Sequence, residues 1–103
     1  MDYKLIKIKR LVLSGKIIWT NHALLQMELS GINKSNVIEA ILNSQYHITK
    51  NTKSKYKSKK KEKVHIIKGL TYDGILIYTK GLIREINNQE NFYVMISSKK
   101  SEK

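Results

Sequence analysis

Eleven residues near the middle of the chain, Lys53 to Lys63, read KSKYKSKKKEK. Seven lysines against one glutamate give this stretch +6, half of the chain's net +12, and it holds no large aliphatic side chain. Such a run cannot bury itself, so the sequence predicts a solvated basic loop or arm at 53–63. With a β-like segment on either side, the charge is expected to sit against a folded body. A polyanion is the natural partner of such a surface, and nucleic acid is the commonest polyanion.

The 103 residues suffice for a single domain with a modest core. Cysteine is absent, which excludes a disulfide framework and a thiolate metal site. The apolar runs, Ile17 to Trp19 and Gly74 to Tyr78 among them, are far shorter than a bilayer requires. The N-terminus MDYKLIKIKR has no continuous apolar segment of signal-peptide length. A cytoplasmic protein with no membrane partner is expected.

The first half alternates helical pattern with stops. Asp2 to Ser14 places Leu5, Ile8, Leu11 and Val12 on one face, with Asp2 as cap and Gly15 as stop. Ile17 to Trp19 reads as an edge strand or an extended linker. A second helix is expected from Thr20 or Asn21 through Leu24, Leu25 and Met27 to a break at Ser30-Gly31. A third runs from about Lys34 to Leu42, capped by Asn33 or Ser35, with Val37, Ile38, Ile41 and Leu42 as its apolar face.

The second half reads as strands: Tyr46 to Thr49, Val64 to Thr71, and Ile75 through Tyr78 toward Ile86, with Asp73-Gly74 as a hairpin turn. After a turn at Asn87 to Glu90, a last strand covers Asn91 to Ser97, and the charged tail from Ser98 is expected to fray. The fold class is therefore α+β, with N-terminal helices packed on one face of a roughly four-stranded antiparallel sheet. The other face of such a sheet is solvated.

Residue types on that open face carry the candidate chemistry. Lys68, Tyr72, Tyr78, Lys80 and Arg84, with Lys99 beyond them, gather cations and phenols on neighbouring strands. RNA cleavage without a metal or other cofactor needs a base for the ribose 2′-OH, cations for the charge growing on the phosphate oxygens, and an acid for the leaving 5′-oxygen. Lysine, arginine, tyrosine and histidine fill all three roles. The plainer reading of the same residues is a solvated lysine face with tyrosines finishing the core. Tyrosine beside lysine also suits single-stranded RNA, since rings stack on bases while cations hold phosphates. The arm lysines, Lys57, Lys59, Lys60 and Lys61 among them, are expected to attract and bind nucleic acid rather than to catalyse.

His22 falls in the first turn of the second helix. It is either a proton-transfer residue or a half-buried histidine bonded to nearby backbone. His47 and His65 lie in strands eighteen residues apart, with few acidic residues to complete a metal site, so none is expected. Neither a Walker loop nor GxGxxG occurs.

The stretch Trp19-Thr20-Asn21-His22-Ala23, Met27, Gly31-Ile32, Val37 and Ala40-Ile41 resembles the signature of domain-of-unknown-function family 4258. There a "HAxxRMxxRGI" helix precedes a second helix and a small antiparallel sheet with a "DG" hairpin, matched here by Asp73-Gly74. Gln26 and Ser30 stand where that family carries arginines. The family looks like a branch of the RelE-like, barnase-like ribonuclease fold, whose members are often toxins of toxin–antitoxin pairs. The order of elements is also similar to MqsR-type toxins, in which a "VY.K" strand corresponds to Ile77-Tyr78-Thr79-Lys80 and a C-terminal lysine to Lys99. The resemblance implies a metal-independent endoribonuclease, an mRNA interferase of a type II toxin–antitoxin system, with RNA and a cognate antitoxin as partners. His22, Tyr78, Lys80 and Arg84 are then the expected catalytic residues, and Lys68, Tyr72, Lys99 and the arm lysines the expected RNA contacts. A non-catalytic RNA- or DNA-binding module, or an antitoxin-docking domain, is the alternative.

Overall fold

The computed structural model describes residues 2–51, 62–88 and 90–102; Lys57, Lys59, Lys60 and Lys61 lie outside them. Helix α1 (Tyr3–Leu13) starts where the Asp2 carboxylate accepts a hydrogen bond from the Leu5 N–H at 3.0 Å. Its Leu5, Ile8 and Val12 are buried, and Gly15 stops it at φ +73°. Strand β1 (Ile17–Trp19) leads directly into α2 (Asn21–Ser30), which ends at Gly31 in the left-handed region. The Thr20 hydroxyl joins α2 to the sheet: it accepts from the Ala23 N–H at 3.1 Å and donates to the Met95 carbonyl at 2.8 Å. Helix α3 (Lys34–Asn43) opens with a reciprocal pair of bonds between Asn33 and Asn36, both 2.9 Å.

Four long strands follow: β2 (Tyr46–Asn51), β3 (Lys63–Leu70), β4 (Leu76–Ile86) and β5 (Glu90–Lys100). The sheet has five strands in the order β1-β5-β4-β3-β2. This corrects the expected four-stranded antiparallel sheet. Ile17 to Trp19 is a true strand, and it runs parallel to β5, pairing Ile17 with Tyr93 and Trp19 with Met95. No tight turn joins those two segments, because α2 carries the chain away immediately after Trp19. An antiparallel hairpin partner is thus excluded for β1, and the chain comes back beside it only at its last strand. The end of the chain is corrected too: β5 continues through Lys100, and Ser98 is fully buried. Among the described residues no helix is long and apolar enough to cross a membrane.

All three helices cover one face. Ile8, Val37, Ile41, Ile67, Ile77, Tyr93 and Met95 meet there as the core. Two glycines allow the close approach. A Cβ on Gly69 would fall onto the Ala40 carbonyl of α3, and one on Gly81 would fall 2.5 Å from the Tyr93 ring. In each of the repeated Lys-Gly-Leu triplets, 68–70 and 80–82, the glycine faces the helices and the lysine faces the opposite side. Beyond Trp19 the outer edge of β5 is met by α2 instead of a strand. The Gln26 side-chain oxygen accepts from the Ser98 N–H at 3.0 Å, and the Ser30 hydroxyl from the Lys100 N–H at 3.4 Å.

The close packing sets an expectation for stability. Gly69→Ala should destabilise the fold by about 3 kcal/mol, the upper end of overpacking costs, because the obstacle is backbone. Gly15→Ala, which meets open space but keeps a positive φ, should cost about 1 kcal/mol. Urea midpoints of the two variants check the order; equal midpoints would contradict it.

Candidate nucleic-acid interface

Strand alternation decides which side chains reach the face that the helices leave uncovered. On β4 these are Leu76, Tyr78, Lys80, Leu82 and Arg84. Register then builds rows across the sheet. Tyr46 pairs with Lys68, Lys68 with Tyr78, and Tyr78 with Lys99, so phenols and ammonium groups alternate over four strands. At about 4.8 Å between strands the row is about 14 Å long. The Lys68 ammonium lies 5.5 Å from the Tyr46 ring centroid, and that of Lys99 lies 5.7 Å from the Tyr78 ring centroid. The next row runs Ile48, Ile66, Lys80, Ser97.

A β-bulge decides how β5 joins these rows. Lys80 pairs with Ser97 but Gly81 with Met95, so Ile96 is the extra residue. Tyr93 and Met95 face the core before the bulge, and Ser98 faces it afterwards. Lys99 is thereby turned to the open face, opposite Tyr78.

Between its cations the open face is apolar. Val64, Ile66 and Leu82 are buried without belonging to the helix-packed core. Two clefts lie side by side. One, of about 440 Å³, is lined by Lys50, Asn51, Val64, Ile66, Tyr78, Lys80 and Ile96. The other, of about 700 Å³, is lined by Ser30, Ser97, Lys99, Lys100, Ser101 and Glu102, again with Tyr78 and Lys80. Tyr78 and Lys80 therefore form a shared wall between an apolar cleft and a cationic one.

The expected site residues fall into three groups. Lys68, Tyr78, Lys80, Arg84 and Lys99 share the open face. The Arg84 guanidinium is engaged there, reaching both oxygens of the Glu62 carboxylate at 2.9 and 3.1 Å. The pair is solvent-exposed and therefore weak. Tyr72 is not on a strand: it occupies the β3–β4 turn, beyond the last pair Leu70 and Leu76, and its backbone N–H donates to Glu39 at 2.6 Å. His22 is exposed on α2, and none of the side-chain hydrogen bonds among the described residues joins it to Tyr78, Lys80 or Arg84. Helical spacing puts it on the stripe of Gln26 and Ser30 that borders β5. Those two residues, in the positions of the resembled family's arginines, hold the edge of β5 rather than a ligand.

Sequence reasoning missed Tyr46, which becomes visible only through the pairing of β2 with β3. It also missed a polar cluster under α1. His47 and His65, both on the helix-covered side, stack with ring centroids 5.0 Å apart. His47 Nε2 lies 2.8 Å from His65 Nδ1, and His47 Nδ1 lies 2.6 Å from the Asp2 carboxylate. Three ring nitrogens are thus committed to bonds within the protein, and no group able to hold a metal is found among the described residues. Burial, and then the positive charges of His47, Lys4 and Lys63, push the His65 pKa down to about 4, against a smaller opposing pull from Asp2. Hydrogen bonds from the Leu5 N–H and from His47 hold the Asp2 carboxyl below its ordinary value.

No family model, curated protein or solved structure matches the chain.

The histidine cluster has a pH consequence of definite sign. With His65 depressed in the folded state, the unfolded chain takes up its proton first as the pH falls below about 6.5. Stability should therefore decline from pH 6.5 to about 4. Asp2 adds a loss only below the ordinary carboxylate range. His65→Gln should flatten the urea midpoint over pH 6.5–4; an unchanged slope in that variant would contradict the assignment.

Proposed function

We propose that this protein is a metal-independent endoribonuclease that holds a single RNA strand on its open sheet face, without a cofactor. The observation that carries the reading is the meeting of two unlike clefts at Tyr78 and Lys80, with Lys68 and Lys99 on either side of Tyr78. A nucleotide has the same division: a flat, largely apolar base joined through ribose to an anion. A row of alternating rings and cations suits a strand whose bases stack and whose phosphates need neutralising.

In the proposed reaction the ribose 2′-oxygen attacks the adjacent phosphorus as its proton passes to a base. The bond from phosphorus to the 5′-oxygen breaks, leaving a 2′,3′-cyclic phosphate, and an acid supplies a proton to the departing 5′-oxygen. Lys80, Lys68 and Lys99 stabilise the charge on the non-bridging oxygens. Tyr78 is assigned the proton given to the leaving oxygen, and His22, exposed on the helix bordering β5, is the candidate base. Arg84 adds a phosphate contact once Glu62 releases it. The likeness of the His22–Ile32 helix to family 4258 supports a toxin of a toxin–antitoxin pair, acting in the cytoplasm. Its antitoxin would be an acidic protein covering the cationic face.

A second reading is favoured by one specific observation. Gln26 and Ser30 are occupied in holding β5, in the positions of the resembled family's arginines. If those arginines carry the family's chemistry, this chain binds nucleic acid without cutting it. Both readings predict affinity that falls steeply with salt.

Incubation of the purified, folded protein with single-stranded RNA in EDTA should give fragments ending in 2′,3′-cyclic phosphate. Tyr78→Phe should slow cleavage about a hundredfold or more with RNA affinity retained. Binding without fragments would replace the nuclease by the binding module. His22→Ala with full activity would remove His22 from the mechanism.

A further inference from the structure

The smaller cleft has a chemistry of its own. Its floor is Val64 and Ile66 on β3 and Ile96 at the bulge, its wall is the Tyr78 ring, and its cations, Lys50 and Lys80, stand at the sides. Its volume of about 440 Å³ is that of a small-molecule site, for which about 300–1,000 Å³ is usual. Val64 and Ile66 have nothing to donate or accept, and neither packs into the helix-covered core. Across the Tyr78–Lys80 wall the neighbouring cleft is lined by Ser30, Ser97, Lys99, Lys100, Ser101 and the Glu102 carboxylate, so cations outnumber the one acid there. A ligand using both clefts must carry a flat apolar group and an anion separated by the width of one side-chain ridge.

We infer that the Val64–Ile66–Ile96 cleft seats one nucleobase of a bound nucleotide, with Tyr78 stacked against it and its phosphate across the Tyr78–Lys80 ridge. This rests on the reading of the open face as an RNA surface and adds a subsite to it. The aliphatic floor offers contact area to any base, and the Asn51 amide, which can donate and accept, lines the cleft beside it. A floor that donated and accepted hydrogen bonds would read the edges of an unstacked base. This one uses contact area and stacking, which every base supplies. Ile96 follows the core-facing Met95, so alternation turns it to the open face, next to Ser97 at the boundary of the two clefts. The bulge acts on the phosphate side, where it turns Lys99 to the open face.

The test is methyl and amide NMR on the full chain, titrated separately with adenosine 5′-monophosphate, uridine 5′-monophosphate and ribose 5-phosphate. Both nucleotides should shift the methyl signals of Val64, Ile66 and Ile96 by ring current, and all three ligands should shift Lys80 and Lys99. The nucleotides should bind about fivefold to a hundredfold more tightly than ribose 5-phosphate, the contribution of one stacked base. Ile66→Lys should abolish that advantage while keeping ribose 5-phosphate affinity; should it fail to fold, Ile96→Ser provides the same comparison. Methyl signals that stay still while the lysine signals saturate overturn the inference, as does equal affinity for nucleotide and ribose 5-phosphate. Failure of the nuclease reading is distinguishable: methyl shifts without RNA cleavage leave the base seat standing, and RNA cleavage with unmoved methyls removes the seat alone.

Discussion

Ten residue pairs hold β4 against β5, and one irregularity in that ladder, between Lys80 and Gly81, orients the C-terminal end of the molecule. Alternation along a strand has a period of two, so a single extra residue exchanges the faces of everything beyond it. Before Ile96 the core takes Tyr93 and Met95; after it the core takes Ser98. In a regular ladder Lys99 would point toward the helices, where an ammonium would be costly to bury. With the bulge it stands over the Tyr78 ring. Gly81, on the opposite side of the irregularity, leaves room for Tyr93, whose hydroxyl is buried without a hydrogen-bond partner among the described residues. Burial raises the pKa of that phenol far above its ordinary value, so it remains a neutral part of the core.

The two faces of the sheet divide the physical tasks. The helix-covered side supplies stability through an apolar core, close backbone approach at Gly69 and the Asp2–His47–His65 cluster that ties the start of α1 to β2 and β3. The open side is mixed in character rather than simply basic. Val64, Ile66 and Leu82 form an apolar floor between cations. A purely cationic face would bind any polyanion by charge alone, with no positional preference. Apolar clefts beside cations instead give a preferred location to a molecule that has both characters.

Much of the fold can be read directly from the residue pattern. The helix starts at Asp2, Thr20 and Asn33, and the stops at Gly15 and Gly31, follow from local capping chemistry that needs nothing beyond a few neighbouring residues. The turn at Asp73-Gly74 is equally local, with Gly74 at φ +83°. The parallel placement of β1 was not legible, because three apolar residues carry no information about a partner 76 positions away. Nor was the extension of β5 into the charged tail: Ser98 to Lys100 pair with Thr79 to Ile77 of β4, while Gln26 and Ser30 of a distant helix accept from the backbone N–H groups of Ser98 and Lys100 on the outer edge.

For the candidate site the division follows the same line. Composition and alternation along β4 suffice to bring Tyr78, Lys80 and Arg84 to one side of a sheet, since side-chain direction along a strand is a local property. Tyr46 opposite Lys68, Lys99 opposite Tyr78, and the displacement of Tyr72 into a turn depend on register, which is set by pairings between segments far apart in the chain. His22 illustrates the limit: its position in the first turn of α2 follows from the Thr20 cap, but its distance from the strand residues depends on how α2 lies along β5. Short-range geometry is written residue by residue, whereas the meeting of an apolar cleft with a cationic one arises only when four strands and a bulge are brought into register.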